Sequence, residues 1–311
     1  NTAVGALALD ANTTANDNTA LGYASLSANS TGAENIAIGS YALQVNSTAS
    51  GNIAMGYNAL GSNTTGASNT AIGGNALDAN TTANNNTAVG NQALGANTTG
   101  GGNNAFGVQA LAGNTTGGSN NAFGYQALDG VVTGSYNNAF GQNALGANTS
   151  GHRNTAIGQD SLQANTTGVQ NTAVGNSALA QSNATANTAV GNNALNANTT
   201  GSDNVSLGRD TLTSTTTGYD NTAIGGLAGG DATGNNNVFL GYNSQPPSTG
   251  NNNTIVLGNS SSDNLRCNTS TINSYSDRRD KTDIVDLPIG LDFVNKLRPV
   301  KFKWQHRDCL L

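Results

Sequence analysis

Few residues of this chain have the types and the spacing that catalysis or metal binding requires. Its two histidines, His152 and His306, lie far apart in the sequence, and its two cysteines, Cys267 and Cys309, do not have the spacing of metal ligands. We therefore predict no metal site and no cofactor, and we expect the histidines to be solvated surface residues. The cysteines are compatible with reduced, buried thiols, with a pair to each other, or with a pair between chains.

Other binding signatures are also scarce. Many turns carry the N-glycosylation pattern, as in Asn80-Thr81-Thr82, but the turns themselves demand Asn and Thr, so we expect no glycans unless the source is eukaryotic. Residues 1–258 contain only two basic residues, Arg153 and Arg209, against ten acidic ones, which argues against nucleic-acid binding. No apolar run reaches about 18 residues, so we expect no membrane insertion.

A repeat of about 17 residues organises most of the chain. An element of the form Asn-x-Ala-φ-Gly, where φ is apolar, recurs in sixteen units, of which three near the end depart from it at the first or third position. The sixteen glycines form what we call the glycine column. Successive column glycines lie 17 residues apart, with two intervals of 16. Such a period is typical of solenoids, in which each unit packs on its neighbours. We predict an all-β fold, a parallel β-roll or β-solenoid whose rungs each consist of strand, turn, strand and turn.

Three rows of residues run along this array, with one member in each rung. The residue just before each column glycine is always apolar, and we call these residues the pre-glycine row. Thirteen consecutive rungs have a leucine four residues after the column glycine, from Leu9 to Leu212, which is the leucine row. Two residues before the glycine stands the alanine row, broken through residue 223 only by Ser206. The pre-glycine and leucine rows predict a thin core. The alanines lie on the opposite strand face and predict that a second backbone packs closely there.

A comparison of burial with backbone ordering predicts that a single roll is only marginally stable. Each rung buries about two large side chains, worth about 1.5 to 3 kcal/mol apiece, while ordering the backbone costs about 1 to 2 kcal/mol per residue. We therefore predict an obligate homotrimer in which three rolls pack through the alanine row. In this register Phe106, Phe123 and Phe140 should stack in the core, and leucine in place of residues such as Ala88 should block assembly.

The repeats resemble a known family. Units such as 154–158, Asn-Thr-Ala-Ile-Gly, followed by Ser161-Leu162, are similar to the repeats of the YadA-like head of trimeric adhesins and to the shafts of phage tail fibres. The resemblance covers about residues 1–258 and implies a trimeric parallel β-roll. The adhesin repeat is shorter than the repeat here, which leaves the handedness of the roll open.

The character of the chain changes at about residue 259. From there on, nine basic residues accompany seven acidic ones, and the repeat disappears. We predict a solenoid shaft over 1–258, a neck or linker over 259–275, and a small α+β module over 276–311. In this module Pro288 suits the first turn of a helix, and the run from Val300 to Trp304 alternates like a strand.

Residues of this module resemble the start of an intramolecular chaperone domain. The elements are Ser-Asp-x-Arg-x-Lys at 276–281, then Gly-Leu-Asp and Leu-Arg-Pro, in the order found at the end of many phage tail fibres and endosialidase-type tailspikes. The resemblance implies that the domain trimerises the chain and then often cuts itself off. Ser276 and Lys281 would be the catalytic nucleophile and base, and the bond between Tyr275 and Ser276 would be cleaved. A lysine acts as a base only when its pKa is depressed by burial. The alternative is that both residues are solvated neck residues.

These inferences favour a structural protein over a metabolic enzyme. We predict a structural and adhesive trimeric fibre of a virion, of the tail fibre type, that mediates host attachment and is located at the virion surface or outside the cell. Its partners would be two further copies and a host cell-surface receptor, for which a glycan is one candidate.

Three other functions stay open. A cell-surface trimeric adhesin of a bacterium would differ in ending with a membrane anchor in place of a chaperone domain. Single-turnover autoproteolysis would be enzymatic only in a limited sense. Ice binding would use regular rows such as Asn80-Thr81 and Asn97-Thr98.

Overall fold

The described part of the chain is an all-β parallel solenoid, as predicted. The structure, a computed structural model, describes residues 1–130 and 132–262. It contains sixteen strands of three residues each, and each strand pairs in parallel with the strands of the adjacent rungs in one open sheet. The strands are Thr2–Val4 (β1), Thr19–Leu21 (β2), Ile36–Ile38 (β3), Ile53–Met55 (β4), Thr70–Ile72 (β5), Thr87–Val89 (β6), Asn104–Phe106 (β7), Asn121–Phe123 (β8), Asn138–Phe140 (β9), Thr155–Ile157 (β10), Thr172–Val174 (β11), Thr188–Val190 (β12), Val205–Leu207 (β13), Thr222–Ile224 (β14), Val238–Leu240 (β15) and Ile255–Leu257 (β16). Most of the predicted neck and the whole predicted α+β module lie outside the described residues.

Each rung contains one strand, and the predicted second strand is wrong. Past the column glycine the backbone turns repeatedly through left-handed conformations, with φ of 55° at Asn75 and 51° at Leu77. A strand needs extended residues in succession, so this segment cannot form one. It still pairs with the next rung, because the Leu77 amide donates to the Ala93 carbonyl oxygen at 3.0 Å.

The glycine column marks a close approach between successive rungs. Gly90 has φ of +137°, and a Cβ atom there would lie 2.3 Å from the carbonyl oxygen of Gly107 in the next rung. Both the backbone conformation and the lack of space exclude a side chain. The repeat therefore needs glycine at this position for geometric reasons alone.

The apolar interior of the solenoid is built from the alanine and leucine rows and from a second set of alanines three residues after the column glycine, such as Ala76 and Ala93. Members of both rows, such as Ala88 and Leu94, are completely buried within the single chain, which confirms the leucine row as core. The predicted placement of the pre-glycine row in the core is wrong by one residue, because these side chains point away from the interior. The second backbone that packs against the alanines is the opposite wall of the same roll.

The alanine row therefore cannot be the contact between chains. Ala71, Ala88 and Ala105 have no exposed surface in the isolated chain. Leucine at one of these positions would overpack the interior of a single roll. We therefore expect it to prevent folding of the chain itself, and not only its assembly.

An exchange of side-chain size near the end of the solenoid shows how the two rows face each other. In the rung of β14 the leucine row carries Gly229, and in the next rung the alanine row carries Phe239, which is fully buried. A Cβ atom on Gly229 would lie 2.7 Å from Cδ2 of Phe239 and 2.8 Å from Cδ2 of Leu212. The phenyl ring thus fills the space that a leucine occupies in other rungs.

This exchange predicts a strong coupling between the two positions. Phe239→Ala should lower the free energy of unfolding by about 3 to 5 kcal/mol through a cavity, and Gly229→Leu should destabilise by a clash. The double variant should recover most of the stability because it recreates the regular rung, and φ of +60° at Gly229 is close to that of the row leucines. A double-mutant cycle by urea unfolding measures the coupling. Additive losses would contradict the exchange.

Two buried rows of asparagine connect the rungs. The entry asparagines stand four residues before the column glycine, and the turn asparagines stand seven residues after it. The backbone amide of Asn86 donates to Oδ1 of the entry asparagine Asn69 at 3.0 Å, and the side-chain Nδ2 of Asn86 donates to the carbonyl oxygen of Gly100 at 2.9 Å. In the turn row, Nδ2 of Asn80 donates to Oδ1 of Asn63 at 2.8 Å. These side chains satisfy buried backbone groups that the short strands leave unpaired.

The chain of hydrogen bonds between turn asparagines is interrupted at rungs in which another residue replaces the asparagine. Oδ1 of Asn114 and Oδ1 of Asn165 are the buried side-chain atoms without a hydrogen-bond partner among the described residues. The rung after Asn114 has no asparagine between Leu128 and Asn137, and the rung after Asn165 has Ser182 at the equivalent position. Each acceptor lacks a partner because the next rung lacks the asparagine whose Nδ2 donates in most other rungs.

The asparagine rows predict a large cost for an interior polar substitution. Asn63→Ala removes the donor to Oδ1 of Asn46 (3.0 Å) and to the carbonyl oxygen of Gly66 (2.9 Å), and the acceptor for Asn80. Each buried group left unpaired costs about 1 to 3 kcal/mol, so the thermal midpoint should fall clearly in circular dichroism. Asn91→Ala, at an exposed asparagine, is the matched control. Equal thermal midpoints for the two variants would show that the hydrogen bonds of the turn asparagines add no stability.

Candidate functional site

The pre-glycine row forms an apolar stripe on the outside of the strand sheet. Twelve of its sixteen members are exposed and the others are partly exposed. The row consists of Val4, Leu21, Ile38, Met55, Ile72, Val89, Phe106, Phe123, Phe140, Ile157, Val174, Val190, Leu207, Ile224, Leu240 and Leu257. Because the strands pair in register, these side chains lie in one line along the sheet. A continuous apolar surface of this extent is typical of a protein contact.

Three phenylalanines occupy the middle of this stripe. The ring centroids of Phe106 and Phe123 lie 4.7 Å apart and those of Phe123 and Phe140 lie 4.8 Å apart, with nearly parallel planes. The predicted stacking is thus confirmed, but the predicted core position is wrong, since Phe106 and Phe140 are 37% and 38% exposed. Phe123→Ala should consequently cost an isolated chain less than the loss of a fully buried ring.

The same three rungs carry a polar ladder beside the rings. Nδ2 of Asn104 donates to Oδ1 of Asn121 at 2.9 Å, and Nδ2 of Asn121 donates to Oδ1 of Asn138 at 2.8 Å. In most other rungs this position is Thr or a β-branched apolar residue. The outer sheet face is therefore apolar along one row and mixed along the other.

Two polar notches lie at the corner that follows the strands. The first, of about 420 Å³, is lined by Asn75, Asp78, Gln92, Gly95, Ala96 and Ala112. The second, of about 470 Å³, is lined by Gln126, Asp129, Asn143, Gly146, Ala147, Gln163 and Ala164. Each notch exists because the residue stacked on the aspartate in the next rung is glycine.

The two aspartates are alike in environment. Burial raises the pKa of the Asp78 carboxyl above its usual value, and nearby backbone amides only partly offset this effect. Burial likewise raises the pKa of Asp129. The sequence signal for these sites is an aspartate followed 17 residues later by glycine, which our sequence reasoning missed.

A third cavity, of about 390 Å³, lies near the end of the described unit. It is lined by Tyr219, Asp220 and the asparagine pairs 235–236 and 252–253. It belongs to a different corner of the rung, since its residues precede the strands.

The chemistry-bearing residues singled out from the sequence do not form a site in the described part of the chain. His152 is exposed, as expected. Among residues 1–130 and 132–262, no three His, Cys, Asp or Glu side chains lie together as metal ligands would. Ser276, Lys281, His306 and both cysteines lie outside the described residues, so the proposed catalytic pair stays a prediction.

The asparagines of the Asn-Thr rows point inward. Asn80 and Asn97 are fully buried, and Nδ2 of Asn97 donates to Oδ1 of Asn80 at 2.9 Å. A glycosyltransferase could not reach these amides in the folded chain. These asparagines also cannot take part in ice binding through exposed Asn-Thr rows, because their side chains lie in the interior.

Comparison with protein families characterises the C-terminal segment. Residues 276–309 match the peptidase family model described as chaperone of endosialidase. This match supports the chaperone resemblance and includes Ser276 and Lys281, but it spans well under half of the chain. No curated protein and no solved structure matches the chain, so the YadA-like resemblance of the repeats stays a prediction. Within the described residues, no helix is long and apolar enough to cross a membrane.

Proposed function

We propose that this chain is the shaft of a homotrimeric virion fibre, of the tail fibre type, that attaches the particle to its host. The observation that carries this proposal is the apolar stripe together with the chaperone match at residues 276–309. The solenoid supports a role as a shaft, the stripe supports assembly with further chains, and the matched segment supports a defined start of that assembly.

The stripe supports assembly with further copies of the same chain. Its sixteen side chains recur at the rung spacing of about 4.8 Å, so a surface with the same period would pair with it along its whole length. Another roll of this sequence offers such a surface. Three rolls around a common axis would bury the stripe of every chain, which removes from water the apolar surface that a single roll exposes.

The chaperone segment supports a defined order of assembly. Solenoid rungs offer nearly the same surface to each other and to neighbouring chains, so three chains could pair in shifted registers. A C-terminal module that trimerises first would align the chains. Folding would then propagate rung by rung from that end, as it does in repeat proteins.

A bacterial cell-surface trimeric adhesin is the second candidate, favoured by the resemblance of the repeats to YadA-like heads. The two functions are told apart by whether the complete gene ends in a chaperone domain or in a membrane anchor. A complete chaperone domain beside genes for other virion proteins supports the fibre, whereas a membrane anchor supports the adhesin.

The stripe predicts a charge-sensitive assembly. Replacing Val89, Phe106 and Phe123 by lysine should leave each roll folded, because these side chains point outward, but should prevent trimer formation by placing unpaired charges in an apolar contact. Light scattering of the complete gene product measures the mass, and circular dichroism checks the fold.

The matched control uses the same three rungs. Lysines at Asn91, Val108 and Tyr125, two residues further along and also exposed, should leave the trimer intact. A trimer that persists unchanged in the stripe variant would show that the chains associate through another surface.

The match at Ser276 and Lys281 predicts autocleavage. The complete gene product should appear on a denaturing gel as two bands, because the bond between Tyr275 and Ser276 is cut. Ser276→Ala should give one uncut band while the protein remains trimeric.

The neighbouring serine provides the control for this test. Ser274→Ala should be cut like the unmodified protein. If the unmodified protein is itself uncut but trimeric, autoproteolysis is excluded and the chaperone role stands. If a shaft without residues 276 onward forms regular trimers unaided, the chaperone role is excluded as well.

A further inference from the structure

We propose that the two corner notches at Asp78 and Asp129 bind a neutral, hydroxyl-rich saccharide chain. This inference rests on the proposed attachment function and adds the location of the binding surface and the chemical class of its ligand. It concerns a surface that differs from the apolar stripe, because the notch residues lie after the column glycine and the stripe lies before it.

Each notch is open because one position of the rung, five residues after the column glycine, carries a glycine and therefore no side chain. Gln44 and Gln163 occupy, in their own rungs, the position that Gly95 and Gly146 occupy beside the two aspartates. Glycine at this position leaves volumes of about 420 and 470 Å³ beside Asp78 and Asp129. Volumes of this size suit a small ligand or one unit of a longer one.

A row of amides runs past both notches. It consists of the residues two positions after the column glycine in seven consecutive rungs, namely Asn58, Asn75, Gln92, Gln109, Gln126, Asn143 and, at its end, the carboxylate Asp160. Some of these side chains already bond to each other, as Nε2 of Gln126 does to Oε1 of Gln109 at 3.1 Å. Amides both donate and accept, so a bound hydroxyl could join the row at either kind of atom.

The lining chemistry selects hydroxyl groups. Carboxylate and amide oxygens accept hydrogen bonds from hydroxyls, and a half-buried carboxylate gains most from such a donor because burial disfavours its charge. An anionic ligand is disfavoured because neither notch contains a lysine or arginine. An apolar ligand is disfavoured because the apolar lining consists only of alanine.

The spacing of the notches favours a chain over a single sugar. Asp78 and Asp129 occupy equivalent positions three rungs apart, which corresponds to roughly 14 Å along the solenoid. A linear oligosaccharide lying along the corner would contact both aspartates and the amides between them. Two linked contacts bind more tightly than either alone, and three copies of the chain would multiply the effect.

The test fills the notches with a side chain that other rungs accept. The double variant Gly95→Gln and Gly146→Gln should fold normally, because neither glycine has a left-handed φ and a Cβ on Gly95 would first meet Oδ1 of Asp78 at 3.3 Å. The probes are linear neutral oligosaccharides of hexoses and of N-acetylhexosamines. Binding to the complete gene product is measured by saturation-transfer NMR and by titration calorimetry.

We expect at least one probe to bind the unmodified protein and to bind the filled variant at least about tenfold more weakly, since hydrogen bonds to charged groups are lost. Asp78→Asn with Asp129→Asn should also weaken binding. Asp10→Asn is the control, because Asp10 occupies the same rung position but is followed by Ser27. The proposal is overturned if no probe binds, or if the filled variant binds as well as the unmodified protein.

Adsorption of the fibre to host cells separates this inference from the attachment function. If the filled variant adsorbs as well as the unmodified fibre, attachment stands and the notches are not its binding surface. If the unmodified fibre binds oligosaccharides through the notches but does not adsorb to cells, the saccharide site stands and the attachment function falls.

Discussion

The pairing of each rung with the next is the interaction on which the rest of the structure depends. The interior is narrow, since its apolar part holds two alanines and one leucine in most rungs. The buried polar groups therefore have few possible partners other than those in their own rung and in the adjacent rungs. Backbone amides, backbone carbonyls and asparagine side chains therefore bond along the axis, from one rung to the next. A single rung would leave most of these groups unpaired, so the fold is stable only as an array.

This dependence divides the rung into a constrained inside and a free outside. Positions that face the interior or the neighbouring backbone repeat with few exceptions, and where one changes, a neighbour changes with it or a bond is lost. Phe239 fills the space beside Gly229, whereas Oδ1 of Asn165 stays without a partner because Ser182 replaces an asparagine. A change at an outer position needs no compensating change in a neighbouring rung, so outer residues can differ between rungs and form distinct surfaces.

Two of those surfaces have different physical character on different parts of the rung. The pre-glycine row is apolar over sixteen rungs and suits contact with another roll of the same period. The corner beyond the glycine column is polar, has small residues at its floor, and carries carboxylates whose pKa is raised by burial. A shaft that associates through the first surface would leave the second one in water, where a soluble or cell-bound ligand can reach it.

The sequence alone determined the period, the parallel solenoid, the leucine core and the stacking of Phe106 with Phe123, because these features follow from residue types that recur at one spacing. It did not determine which strand face was inside. Alternation places successive side chains on opposite faces, but both faces here carry apolar residues, and a large residue such as Ile72 suggests a core more strongly than Ala71 does. The tertiary structure decided this point, since the opposite wall of the roll comes so close that only a small side chain fits opposite a leucine. The larger Phe239 fits only where that leucine is replaced by Gly229. The tertiary structure also revealed the notch at Asp78, because an open space depends on which residues become neighbours across rungs, and the left-handed turns that bury the leucines, which no local propensity of leucine predicts.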